Sequence, residues 1–301
     1  MSSPTEPSFM IEYISTLNDT NWDANSMFNM WLRLAGGGSQ TIEFDFSGCR
    51  FLRQNAVAFL GGLARLIQHR RGQVVFRWNT MISAVYMNLA QNGFMGAFGG
   101  PIGPWPGNSI PFREDSQQAA HEFEDYLTRL WLGRGWVNVS LGLRDAIVGH
   151  MAEIYLNAFD HSQSPIGVFA CGQHFPRKHE LNLTIVDFGV GIPSNVRLFK
   201  ANDFAPEDLP ATKCMEWAFQ AGTSTKPGGR GIGLDLLQEF VKLNGGRLEM
   251  FSHEGYVVIA DGKMAFAERN RFFEGTMVNI SLRCDESYYC LASELNNRPL
   301  F

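Results

Sequence analysis

Apolar and polar positions recur along this chain at two periods, and the switches between them mark its elements. Phe9–Ile14 alternates like a strand, whereas Asn21–Leu34 repeats at helical spacing and stops at Gly36-Gly37-Gly38. Thr41–Phe46 reads as a strand, and Asn55–Arg71 as a helix with Val57, Leu60, Leu63, Ala64 and Ile67 on one face. Gln73–Trp78 then reads as a strand and Met81–Gln91 as a short helix. Strands alternating with helices predict βαβ units and a parallel or mixed sheet.

Between Phe98 and Arg113 periodicity is lost in GGPIGPWPGNSIP, which predicts a connector between domains. Beyond it, Phe123, Tyr126, Leu127 and Leu130 predict a helix from Asp115 to Leu130, and a second helix starts near Ser140. Strands are expected at Pro165–Gly172, Glu180–Val186, Arg247–Ser252, Tyr256–Ala260, Lys263–Ala267 and Gly275–Arg283. A helix from Ile232 carries Leu236, Leu237, Phe240, Val241 and Leu243, and Asn244-Gly245-Gly246 ends it. These segments predict an antiparallel-leaning sheet with helices on one face.

Composition narrows the function classes. A chain of 301 residues corresponds to about two domains. With 45% hydrophobic residues it can build real cores. A net charge of −5, with Lys and Arg scattered, argues against nucleic acid as the main partner. Cys49, Cys171, Cys214, Cys284 and Cys290 are odd in number and form no CxxC pair, which predicts free thiols in a reducing compartment. The opening MSSPTEPSFMIEY has neither the basic nor the apolar region of a signal peptide. The most apolar run, Ala56–Ala64, is too short to span a bilayer. A cytoplasmic protein is expected.

Three stretches carry candidate chemistry. In GTSTKPGGRGIGLDLLQEFVKLNGG, Gly222–Gly246, a glycine-rich loop with Lys226 and Arg230 runs into a helix N-terminus. Free N–H groups and the helix dipole would make an anion site there, although glycine-rich turns are often only turns. In Arg144–Ser162 the residues Ile147, Val148, Met151, Ile154, Tyr155 and Ala158 share one helical face, while Glu153, Asn157, Asp160 and His161 form a polar stripe. A solvated face is one reading of that stripe. The other is functional: Glu153 and Asn157, at i, i+4, could address one Mg²⁺–phosphate group, the amide oxygen as ligand and Glu153 as general base.

The third stretch is ELNLTIVDFGVGIP, where Asp187 ends a strand and is followed by Gly189 and Gly191. Bare backbone would let a flat ring slide in while Asp187 accepts a hydrogen bond from an exocyclic amine; a helix-capping Asp at an ordinary turn is the alternative. The long polar segment from Ile192 to Thr225, interrupted by Pro206 and Pro210, is a candidate lid.

Two family resemblances follow from these residues. The run Ile42–Phe94, IEFDFSGCRFLRQNAVAFLGGLARLIQHRRGQVVFRWNTMISAVYMNLAQNGF, resembles a STAS-type domain, the fold of anti-anti-sigma factors. Where that family commonly carries a phosphorylated serine, this chain has Arg53-Gln54-Asn55-Ala56. The resemblance therefore implies an interaction or dimerisation surface without that switch. Further on, Glu153-xxx-Asn157, DFGVGIP, GTSTKPGGRGIGL and Gly275-Thr276 occur in the order found in GHKL ATPases, between Phe123 and Leu282. That superfamily includes histidine kinases, gyrase-type topoisomerases, MutL proteins, large heat-shock chaperones and anti-sigma serine kinases.

The GHKL resemblance implies ATP and Mg²⁺. Asn157 would ligate the metal, Asp187 would read the adenine amine with help from Thr276, and Gly189 and Gly191 would flank base and ribose. Gly229, Gly231 and Gly233 would wrap the phosphates, with Lys226 and Arg230 as phosphate contacts and Glu153 as general base. Phe188 and Asp160 depart from the family's usual residues, which leaves hydrolysis and phosphotransfer both open. His121 is followed by no proline and has no room for a helical hairpin before the ATPase fold, so a self-phosphorylating histidine kinase is disfavoured.

The expected fold is α/β. It comprises a STAS-like domain over residues 1–100, a linker over 101–116, a GHKL α/β sandwich over 117–285 with a mixed sheet and helices on one face, and a tail over 286–301. The expected function is an ATP-driven regulatory ATPase that switches contacts with a protein partner, with homodimerisation possible and neither nucleic acid nor membrane involved. The alternatives are a kinase acting on a separate protein, and an ATP-gated interaction module without turnover.

Overall fold

The computed structural model describes residues 9–18, 21–36, 38, 40–101, 107–205, 208–220 and 235–295. The N-terminal part is a βαβαβ unit: β1 (Phe9–Tyr13), α1 (Asn21–Leu34), β2 (Thr41–Asp45), α2 (Gln54–His69) and β3 (Gln73–Arg77). Its three strands pair in parallel in the order β1-β2-β3, as alternating strands and helices require. Two short helices, α3 (Ser83–Gln91) and α4 (Phe94–Ala97), complete the unit.

The segment expected to be a connector through residue 116 is strand β4 (Ser109–Asp115). It pairs with β5 (Val168–Phe175) along one edge of a second sheet, with a register shift between Ile110 and Arg113. Pro111 explains the misleading sequence signal: proline lacks a donor and is tolerated at edge strands and bulges. The expected helix from Asp115 is correspondingly shorter. α5 (Ala120–Tyr126) is followed by a π-turn and buries Phe123, Tyr126 and Leu127.

The rest of the second sheet comprises β6 (Glu180–Asp187), β7 (Arg247–Ser252), β8 (Gly255–Ala260), β9 (Lys263–Glu268) and β10 (Thr276–Arg283). Its order is β4-β5-β6-β10-β7-β8-β9, and every pairing is antiparallel. On one face, Leu183, Ile185, Leu248, Val278 and Ile280 pack with α5, α6 (Leu141–His161) and α9 (Asp235–Asn244). On α9, Leu237, Phe240 and Val241 are buried as expected, whereas Leu243 is exposed. The helix ends at Asn244, whose side chain bonds both backbone groups of Arg283 (2.6 and 3.0 Å).

The opposite sheet face is covered by the N-terminal unit. Phe169, Val186, Phe188, Phe251, Phe273 and Met277 join one continuous core with Phe28 and Phe59. Phe28 stacks on Phe273 at 5.0 Å, and Phe59 lies 5.3 Å from Phe188. The molecule is thus layered β/α/β/α. α2 is buried on nearly every side, from Gln54 to Ala64, as suits a helix that is apolar all round.

Ion pairs stitch the two parts. Arg53 meets Glu180 at 2.7 Å, and Arg65 grips both oxygens of Glu114 (2.7 and 2.8 Å). Arg53, Gln54 and Asn55 are buried beside this contact.

Candidate functional site: a cavity between α6 and the sheet

α6 positions one wall. Ser140 caps it by accepting the Leu143 N–H at 3.1 Å. Ile147, Val148, Met151, Ile154 and Tyr155 bury one face; Tyr155 also donates to Asp115 at 3.0 Å, anchoring the helix to β4. Replacing Ser140 by Ala should lower unfolding free energy by about 1 kcal/mol. Urea denaturation checks this, and an unchanged midpoint would remove the cap from the account.

Along α6, Ile154, Asn157, Ala158 and His161 line a cavity whose other walls come from β6, β7, β10, α7 (Gly191–Phe199) and α8 (Ala211–Ala218). Its lining is largely apolar, with Ile185, Ile192, Val196, Trp217, Met250 and Val278, and Asp187 and Thr276 are among its few polar residues. Two helices therefore occupy the described part of the segment expected to be a lid. α8 packs on β8 and β9.

Asp187 is buried at the end of β6. Burial pushes its carboxyl up to about 7, against the lowering effect of hydrogen bonds from the Gly189 and Thr276 N–H groups; the Gly189 bond is 2.9 Å. A buried carboxyl facing a largely apolar cavity can take a hydrogen bond from a ligand there. The turn after it is fastened from several sides. Val190 N–H donates to the Ser162 carbonyl at 2.7 Å. Gly189 sits so close to that carbonyl that a Cβ would stand 1.9 Å from it, and Gly191 adopts φ +72° beside the Glu274 carbonyl.

Ser252 and His253 complete the support. The Ser252 hydroxyl donates to the Gly275 carbonyl (3.0 Å), accepts Ile192 N–H (2.9 Å) and lies 3.2 Å from the Thr276 hydroxyl. His253 Nε2 contacts the Val190 carbonyl at 2.9 Å, and Arg197 approaches its Nδ1 at 3.5 Å. Burial lowers the His253 pKa, opposed by the Val190 hydrogen bond, so a neutral ring donating from Nε2 suits the contacts. Asn195 donates to the His161 and Gly191 carbonyls (3.0 and 3.1 Å), tying α7 to α6. Neither Ser252, His253 nor Asn195 stands in a motif. Apart from the Asn195–Gly191 bond their partners are tens of residues away, and no spacing pattern could have found them.

The structure brings Asn157, Asp187, Gly191 and Thr276 to one cavity. Gly189 lies behind its wall, packed on Ser162. Glu153 is half-buried one turn before Asn157 and to the side of the cavity wall, whereas Asp160 is exposed. At about 100° per residue, a wall made by Ile154, Asn157, Ala158 and His161 leaves both acids at its margin. Lys226, Gly229, Arg230, Gly231 and Gly233 lie outside the described residues. Among the described residues no three His, Cys, Asp or Glu side chains converge as a metal cage.

Residues 142–283 match the family model described as histidine kinase-, DNA gyrase B-, and HSP90-like ATPase. The match runs from the first turn of α6 to the last residue of β10 and so contains the whole cavity. The N-terminal βαβαβ unit lies outside it. No curated protein sequence matches the chain. Among the described residues, no helix is long and apolar enough to cross a membrane.

Proposed function

We propose that this chain is a cytoplasmic regulatory ATPase of the GHKL type, which binds Mg·ATP in the α6 cavity and changes its contacts with a protein partner on binding or hydrolysis. One observation carries the reading: a buried carboxylate, Asp187, faces an apolar cavity within the segment that matches the ATPase family. An adenine ring is flat and apolar with one amine at its edge, and this cavity offers apolar walls with one strong acceptor. Thr276 lies beside Asp187 as the neighbouring polar group. Asn157 would hold Mg²⁺ through its amide oxygen; when bound, the metal neutralises phosphate charge. Lys226, Arg230 and the glycines at 229, 231 and 233 are the proposed phosphate cradle, and Glu153 the proposed general base.

The N-terminal unit is read as STAS-like on its parallel βαβαβ order. Its buried Arg53-Gln54-Asn55 segment disfavours phosphotransfer onto that site within the chain. A kinase reaction would therefore act on a separate protein.

Equilibrium titration of the full chain with a fluorescent ATP analogue and Mg²⁺ tests binding, and release of labelled γ-phosphate tests turnover. Saturable binding that unlabelled ATP displaces is expected, with slow phosphate release. Label transferred to an added protein would favour the kinase, and binding with neither product would favour an ATP-gated module. Absence of saturable binding would end the nucleotide reading.

A further inference from the structure

Two glycines, Gly61 and Gly62, stand in the middle of α2, where glycine weakens a helix relative to alanine. The packing explains both. A Cβ on Gly62 would lie 2.0 Å from the ring of Phe188, and one on Gly61 would lie 2.4 Å from the ring of Phe112 on β4. Phe188 cannot yield cheaply. Its ring is buried and boxed by Phe59 (5.3 Å), Phe169 (6.1 Å) and Phe273 (5.4 Å).

Phe188 directly follows Asp187, and the two side chains point to opposite sides of the sheet: Asp187 into the cavity, Phe188 into the core shared with the N-terminal unit. We infer that Phe188, seated on Gly62 of α2, is a positioning residue for the nucleotide site, so that the N-terminal unit sets the aim of the Asp187 carboxylate. The inference rests on the nucleotide reading above and deepens it. The turn it controls is short and tightly held. Gly189 N–H reaches back to Asp187, and Val190 N–H to Ser162. A ring pushed off α2 has to move the backbone that joins those two bonds, because interiors are close-packed and transmit displacement. Phe188 in this light is the link through which a partner bound to the N-terminal unit would reach the ATP cavity.

The test uses full-length wild type, Gly62→Ala and Gly61→Ala. Neighbouring glycines on one helix each meet a phenylalanine ring, but only Gly62 meets the ring next to Asp187. Both substitutions should lower the melting temperature. Gly62→Ala should in addition weaken binding of a non-hydrolysable ATP analogue by about tenfold or more, as for a misaligned hydrogen bond to a charged group. It should also speed amide exchange at residues 189–191 in the nucleotide-free protein. Gly61→Ala should leave affinity and exchange there at wild-type values, and adding Phe188→Leu to Gly62→Ala should restore part of both.

Wild-type affinity and exchange in folded Gly62→Ala would overturn the inference, as would an equal loss in Gly61→Ala. If Gly62→Ala does not fold, Phe188→Leu alone carries the comparison: faster exchange at 189–191 supports the positioning role, and unchanged exchange overturns it. Wild type that binds no nucleotide would overturn the ATP reading, while the exchange comparison would still decide whether α2 holds this turn.

Discussion

Asp187→Asn should weaken ATP binding and, at neutral pH, make the protein more stable. The affinity loss is expected at about 10–150-fold, from the 1.5–3 kcal/mol of a hydrogen bond to a charged group. The carboxylate has two oxygens, and backbone N–H groups of Gly189 and Thr276 already bond to it. An amide has one oxygen, so its NH₂ must face either those donors or the adenine amine. Unchanged affinity would remove the adenine assignment.

The stability effect follows from linkage. Burial raises the Asp187 pKa to about 7, well above the ordinary carboxyl value of 3.8. As pH rises the unfolded chain loses its proton first, so stability that is fully present below about pH 4 is lost as pH rises through about 7. The whole swing for this group is on the order of 4 kcal/mol. Asn has no such titration but loses one N–H acceptor, so the variant should gain about 1–3 kcal/mol above pH 7. The gap should shrink as pH falls toward 5. Urea denaturation of both proteins at pH 8 and pH 5 measures it. A gap that ignores pH would mean the Asp187 carboxyl titrates normally despite its burial.

Glu153→Ala should keep ATP affinity within about twofold and reduce turnover by roughly 10²–10⁴-fold, the range for a general base. The geometry of α6 supports the division of labour. His161, whose carbonyl is tied to Asn195 near the Gly191 turn, lies at the Asp187 end of the cavity. Asn157 is one turn earlier and Glu153 a further turn, about 12 Å from His161 along the axis at 1.5 Å per residue. In the proposed function Glu153 is the general base, on the side of Asn157 away from Asp187. Single-turnover phosphate release compared with equilibrium binding separates the two effects. Turnover equal to wild type would strike Glu153 from the mechanism, and a parallel loss of binding would make its role structural.

Part of the cavity lining was legible in the linear chain because its motifs are local. Asp187, Gly191, Asn157 and Thr276 each sit at an element's end or on one helix face, where spacing translates directly into geometry, and all four line the cavity, whereas Glu153 stands beside its wall. What the spacing left open was rotation. A polar stripe on α6 has the same period whether it meets solvent or ligand, and only its packing against β6, β10, α7 and α8 turned Asn157 and His161 inward and left Asp160 outside.

By itself the sequence determined the alternation of strands and helices, the antiparallel lean of the second sheet and the likeness of its C-terminal half to an ATPase. Periodicity and turn chemistry are written within a few residues of each other, and the order of the motifs can be read directly along the chain. The tertiary structure decided how the halves join. Phe188 departs from the residue usual beside an adenine-reading Asp; Gly62, 126 positions earlier in the chain, leaves room for its ring. Pro111 read as connector because the sequence does not say which strand lies at an edge. The apolar faces of α2 were visible, but what they would bury was not, because a hydrophobic surface is non-directional and takes its partner from the whole fold.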